Sequence, residues 1–134
     1  MIDALCMALI AVTGTVVLPT GTITLSWTHT VEGTPWEEDY AIIRGALVLT
    51  QARIKRSGAG MEAPPGAVWD DGWWHYVPSL GPLAEVALAN SPFAPGYKVC
   101  WDAQCRPLNT MIAPDDVVKL APIKCDANRQ PASE

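Results

Sequence analysis

The segment Thr22–Glu32 constrains this chain more than any other. Its residues alternate without a break. Ile23, Leu25, Trp27, His29 and Val31 fall on one side, and Thr22, Thr24, Ser26, Thr28, Thr30 and Glu32 on the other. A period of two over this length, carried by β-branched and aromatic residues, predicts a half-buried antiparallel strand with one face in a core. The pattern also sets His29 on the apolar side, between Trp27 and Val31.

The rest of the chain is cut into pieces too short for long helices. Pro occurs 12 times and Gly 10 times among 134 residues, while 49% of the residues are apolar. That apolar fraction excludes a disordered chain, and the length suits one domain. Residues 1–125 are read as that domain and 126–134 as a polar tail. Ala4 to Val12 is an apolar run whose only preceding charge is Asp3. A secretory leader begins with positive charge, so a first strand explains the segment better. No apolar run reaches the ~18 residues of a membrane-crossing helix. The lack of a leader and of such a helix argues for the cytoplasm.

Turn chemistry divides the chain beyond the long strand. Gly33-Thr34-Pro35 ends that strand, Trp36 to Ile43 forms the next, and Arg44-Gly45 is a tight turn into Ala46–Ile54. Along that return strand Leu47 and Leu49 keep one phase and Ala52 and Ile54 the other, which predicts a one-residue bulge near Thr50-Gln51. Residues 57–66 have almost no strand or helix propensity and form a Gly/Pro-rich loop of a length often tied to function. Asp70-Asp71-Gly72 turns Ala67–Trp69 back into Trp73–Val77. Glu85–Ala89 and Tyr97–Trp101 are further short strands. Ala113-Pro114-Asp115-Asp116 resembles a helix start followed by a short turn or strand through Leu120. Eight to ten short strands at this spacing predict an all-β single domain, an antiparallel β-sandwich or barrel with a long Gly/Pro-rich loop.

Nine basic against 14 acidic residues give a net charge of −5. Nucleic acid as a partner is excluded on that balance, since phosphate binding needs a basic surface. Glu32, Glu37, Glu38 and Asp39 could hold a hard cation, but they lack the spacing of a calcium loop and read more simply as a solvated turn. His29 reads either as a core residue with one hydrogen bond or as a functional group paired with Glu32 or Glu37. The loop Ser57-Gly58-Ala59-Gly60-Met61-Glu62, behind Lys55 and Arg56, could cradle an anion with its backbone N–H groups, although it is no P-loop. His75 sits among aromatics with no short-range ligand partner, so no metal site and no cofactor are expected.

Six tryptophans cannot all be fully buried in so small a core. Trp73 and Trp74 point to opposite faces, so an exposed indole there suits either a sugar, ligand or protein contact or the cover of a sheet edge. Of four cysteines, Cys100 and Cys105 flank a hairpin turn where a disulfide is feasible. Cys6 reads as a small core residue, and a reduced domain would keep all four as thiols. No nucleophile–base pair stands out, so catalysis has no support and no catalytic residue is assigned.

Five blocks in order resemble a known family. They are Ser26–Asp39 (SWTHTVEGTPWEED), Ser57–Pro65 (SGAGMEAPP), Asp71-Gly72-Trp73-Trp74, Leu88-Ala89-Asn90-Ser91, and Cys100 with Cys105. Together they are similar to the bacterial domain of unknown function 1850 family over residues 5–108. Its members are small proteins typically encoded beside TAXI-type TRAP transporters, which carry organic acids with a soluble binding protein. The resemblance implies a non-enzymatic accessory role in assembly, stability or regulation, with the permease or its binding protein as partner and a small organic anion as a further ligand. Some relatives carry Lys where Gly33 stands here, and others carry a hydrophobic anchor and face outward, which leaves the compartment open. The alternative is a small-molecule or metal-ion binding module on His29 and nearby carboxylates. The candidate interaction site comprises His29, Glu32, Thr34, Glu37, Glu38, Ser57, Gly58, Gly60, Glu62, Trp73 and Trp74, with His29 and the Gly-rich loop expected to meet at one rim of the fold.

Overall fold

The computed structural model describes residues 4–28, 33–55, 65–91, 96–114 and 117–126. In chain order the strands are β1 (Leu5–Ala11), β2 (Gly14–Val17), β3 (Thr22–Thr28), β4 (Pro35–Ile43), β5 (Ala46–Lys55), β6 (Val68–Asp70), β7 (Trp73–Tyr76), β8 (Val86–Leu88), β9 (Lys98–Trp101), β10 (Gln104–Pro107) and β11 (Val118–Lys124). A single short 3-10 turn, Leu108–Thr110, is the only helical element among the described residues. Two antiparallel sheets result: β2-β1-β11-β8 and β10-β9-β3-β4-β5-β7-β6. They face one another as an open sandwich, as the alternation and turn spacing predict.

The core lies between them. Met7 and Leu9 of β1, Leu88 of β8, and Val118 and Leu120 of β11 meet Ile23 and Leu25 of β3, Leu47 and Leu49 of β5, and Val99 of β9. Ile23 and Leu25 are buried and Trp27 packs against the same cluster, as the phase of β3 requires. His29 and Val31, the continuation of that face, lie outside the described residues, as does most of the 57–66 loop.

Three hairpins close through two-residue turns with both residues in the left-handed region: Arg44-Gly45, Asp71-Gly72 and Asp102-Ala103. Such turns match the twist of paired strands, and Gly is the usual second residue because it has no Cβ to clash. The third turn breaks that rule with Ala103 at φ 62°. The bulge also appears where the phase change requires it. Asp39 faces Gln51 and Tyr40 faces Leu49, so Thr50 is the extra residue of β5.

Two expectations need correction. No helix starts at Ala113-Pro114. The chain passes through residues 115–116, outside the described set, into the strand Val118–Lys124. Alternation of Val118 and Leu120 into the core decides for a strand, and its pairing with β1 extends it past Leu120. Pro122 is tolerated there. Its partner Met7 directs both backbone groups the other way, to Thr20 O and Leu18 N, so no bond across that pair needs a proline N–H. The β8 pairing ends at Leu120, so that side needs none either.

The second correction is Cys6. It is buried, but not as a plain thiol: it is bonded to Cys125, with Cα atoms 4.8 Å apart. β1 and β11 are neighbours, with Leu5 opposite Lys124, and this brings the two cysteines together from 119 residues apart. Cys100 and Cys105 are bonded across the β9–β10 hairpin. Their Cα separation of 4.0 Å is shorter than the ~4.4–6.8 Å expected of disulfides. They sit directly opposite one another, next to the Trp101–Gln104 pair that closes the turn. Facing residues of that kind are the closest pairs in an antiparallel ladder.

Candidate functional site

The acidic run at the start of β4 is split by strand alternation into two different environments. Glu37 and Asp39 point to the outer face of the seven-stranded sheet, and Glu38 points inward with its cross-strand neighbours Leu25 and Ala52, both buried.

On the outer face, Arg53 organises the carboxylates. The bulge at Thr50 sets Arg53 directly opposite Glu37. Its Nε donates to Glu37 Oε1 at 2.6 Å, and its two terminal nitrogens donate to Asp39 Oδ2 at 2.8 Å and Oδ1 at 3.1 Å. Thr24 Oγ1 donates to Asp39 Oδ1 at 2.6 Å. Burial opposes ionisation of Asp39, but the bonds from Arg53 and Thr24 outweigh it and hold the carboxyl below its ordinary range. Burial likewise opposes the charge of Arg53, and the bonds to Asp39 and Glu37 outweigh it and raise the guanidinium. Gln51 Oε1 accepts from Arg53 at 3.2 Å and lies 3.4 Å from His75 Nδ1. An amide oxygen only accepts, so any bond along that contact needs the proton on Nδ1.

On the inner face, Glu38 is half-buried. Burial pushes its carboxyl up, against the opposing effect of the bond it accepts from Tyr40 Oη at 3.0 Å. Burial and the Glu38 charge together raise the phenols of Tyr40, Tyr76 and Tyr97. One inward step further along the same face lies an aromatic row. Trp27 stacks on Trp36 with ring centroids 6.0 Å apart and meets Tyr97 edge-on at 5.3 Å, while Trp69 meets Trp74 at 5.0 Å. Trp27 and Trp36 are cross-strand partners, as are Trp69 and Trp74, so pairing register alone builds these contacts.

The residues singled out from sequence therefore fall in several places. His29, Glu32, Ser57, Gly58, Gly60 and Glu62 lie outside the described residues, and so does the expected meeting of His29 with the Gly-rich loop. Thr34 is half-buried just before β4. Glu37 and Trp73 share the outer face, whereas Glu38 and Trp74 share the inner one, so these four do not form one cluster. Trp73 lies under Lys55 Nζ, 5.8 Å from the ring centroid. The most exposed indole of the β6–β7 hairpin is that of Trp69, at 48%. Arg53, Thr24, Gln51 and the inward environment of Glu38 escaped sequence reasoning. The signal for Arg53 was present: with the bulge at Thr50 and the turn at Arg44-Gly45, counting along the hairpin sets it opposite Glu37.

A groove of about 670 Å³ opens on the outer face between the bulge and the β9–β10 hairpin. Asp39, Thr24 and Thr50 line it on one side, and Asp102, Gln104 and the Cys100–Cys105 pair on the other. Among the described residues no three His, Cys, Asp or Glu side chains are grouped to hold a metal ion.

The sequence model of one family, described as Domain of unknown function (DUF1850), matches residues 23–108. The chain belongs to that family. The matched span runs from β3 to β10 and so holds nearly all of the seven-stranded sheet, including the Arg53 cluster and the groove. β1, β2 and β11 lie outside it. No curated protein and no solved structure matches the chain.

Proposed function

We propose that this protein is a non-enzymatic accessory component of a TAXI-type TRAP organic-acid uptake system, acting in its assembly, stability or regulation, with the permease or its binding protein as partner. The genomic setting typical of its family suggests the system. The observation that carries an accessory role is the Arg53 cluster. One guanidinium is held by two carboxylates, and one of these also takes a threonine hydroxyl, so the polar side chains at the centre of a broad sheet face are committed to one another. Charges held in this way make a preorganised surface that a protein partner can dock on with little ordering cost.

The cysteines bear on where this happens. All four are paired, and disulfides persist in oxidising compartments. That favours the extracytoplasmic side, where a soluble binding protein meets its permease. The test is co-purification of the tagged, oxidised protein with the permease and with the binding protein, each with and without transported substrate. Retention of either partner in at least one state is expected. Failure to retain either in both states overturns the reading.

A further inference from the structure

We propose that the groove between the Thr50 bulge and the β9–β10 hairpin is a binding site for a small organic cation that donates hydrogen bonds, a primary amine or a guanidine. The site is independent of the transporter reading; of the residues singled out in the sequence it uses Asp39 and the Cys100–Cys105 pair.

The chemistry of the lining carries it. Thr24 Oγ1 spends its one proton on Asp39 Oδ1, and Thr50 Oγ1 spends its own on the Asp39 backbone carbonyl at 3.2 Å. Each hydroxyl is left with lone pairs only. Asp39 and Asp102 are acceptors as carboxylates, and among the described residues Asp39 Oδ2 takes one hydrogen bond, from Arg53. Gln104 adds an amide that can turn either end toward a ligand. Among the described residues the lining holds no lysine, arginine or histidine. Free hydrogen-bonding capacity in the groove is thus dominated by acceptors, beside the Asp102 carboxylate and an Asp39 carboxylate whose charge Arg53 balances, in a chain of net charge −5. The nearby guanidinium of Arg53 is taken up by Glu37 and Asp39, so an organic anion would meet the Asp102 carboxylate and few donors, whereas an ammonium or guanidinium would be matched at several acceptors. The volume falls within the ~300–1,000 Å³ of small-molecule sites.

The hairpin wall has a defined shape. Asp102 and Ala103 both hold left-handed backbone, at φ 50° and 62°, next to the Cys100–Cys105 bond. A β-carbon at the second position of such a turn is uncommon, and the cross-link beside it keeps the turn in register.

The experiment compares two probes of equal chain length and opposite charge, 1,4-diaminobutane and succinate, titrated into the 15N-labelled oxidised protein at low salt. Saturable shifts of the Thr24, Thr50 and Gln104 amides with the diamine, and none there with succinate, are expected. Asp102→Asn removes a charge yet keeps a residue that accepts left-handed backbone. Its amide spectrum reports folding directly, and its diamine affinity should fall roughly two- to fivefold, the effect of one exposed charge. Thr24→Val is the second variant and should weaken the diamine as well. The proposal is overturned if the diamine gives no saturable shift at these amides, if succinate shifts them equally, or if neither variant weakens the diamine.

Discussion

At the residue scale, two consecutive carboxyls on one strand, Glu38 and Asp39, are shifted in opposite directions because a strand turns each residue to the other face. Asp39 lies in a cluster of donors, so its carboxyl is lowered. Its contribution to stability is present above the ordinary value of 3.8 and is lost as pH falls through the depressed value. Glu38 lies against the core, so its carboxyl is raised. Below the ordinary value of 4.5 it adds no penalty, and stability declines as pH rises through the raised value, because burying the charge then opposes folding. Glu38→Gln should therefore be more stable than the parent at pH 7, with the difference closing toward pH 4. Urea denaturation at both pH values reads this, and a variant less stable than the parent at pH 7 contradicts the inward placement. Arg53→Ala leaves Glu37 and Asp39 facing each other without a cation. A loss of about 1–3 kcal/mol is expected for this partly buried cluster, and a loss under about 0.5 kcal/mol would show that the cluster adds nothing to the fold.

At the element scale, Thr50 decides which side chains of β5 face the core. Before it Leu47 and Leu49 face inward, and after it Ala52 and Ile54 do. Deleting Thr50 restores a continuous ladder only by sending one of those two sets outward, or by remaking the turn at Arg44-Gly45. The expected result is loss of the cooperative unfolding transition, or a cost above about 3 kcal/mol, seen by thermal melting. A deletion variant with an unchanged melt would mean that the bulge is incidental. The phase change that reveals this bulge is legible in the sequence because period-two patterning is local. The same locality misleads at Ala113–Asp116, where a good helix cap in sequence precedes a strand. The pairing of Val118–Lys124 with β1 is a long-range matter, and tertiary context overrides a local preference of this size.

For the whole molecule, the two disulfides do different work. Cys100–Cys105 spans a separation of 5 and Cys6–Cys125 one of 119. Restricting the unfolded chain is worth more for a longer loop, which gives about 2 kcal/mol for the first and about 5 kcal/mol for the second. The double variant Cys6→Ser with Cys125→Ser should therefore lose clearly more stability than Cys100→Ser with Cys105→Ser. Paired guanidinium denaturation curves measure this, and equal losses would remove the chain-restriction account. The long-range bond also fastens the start of the four-stranded sheet to its last strand. It thereby holds β1 and β11, the two strands that cover the core face of the family-matched region.

Much of the sandwich was legible without coordinates, and for one reason. Strand alternation, tight turns and a bulge are each written within a few neighbouring residues, so the strand from Thr22, the turns at Arg44-Gly45 and within Asp70-Asp71-Gly72, and a bulge near Thr50-Gln51 come from the order of side chains alone. The Cys100–Cys105 bond belongs to the same class, since one hairpin brings both sulfurs together. Tertiary structure alone decided what depends on which strands become neighbours. The sequence places Cys6 in an apolar strand, but only the β1–β11 pairing gives it Cys125. It shows a run of carboxylates, but only the pairing of β3, β4 and β5 turns Glu38 into a half-buried acid among tyrosines and leaves Asp39 at the edge of a groove. Burial and partner choice are properties of the assembled sheets, and no local pattern encodes them.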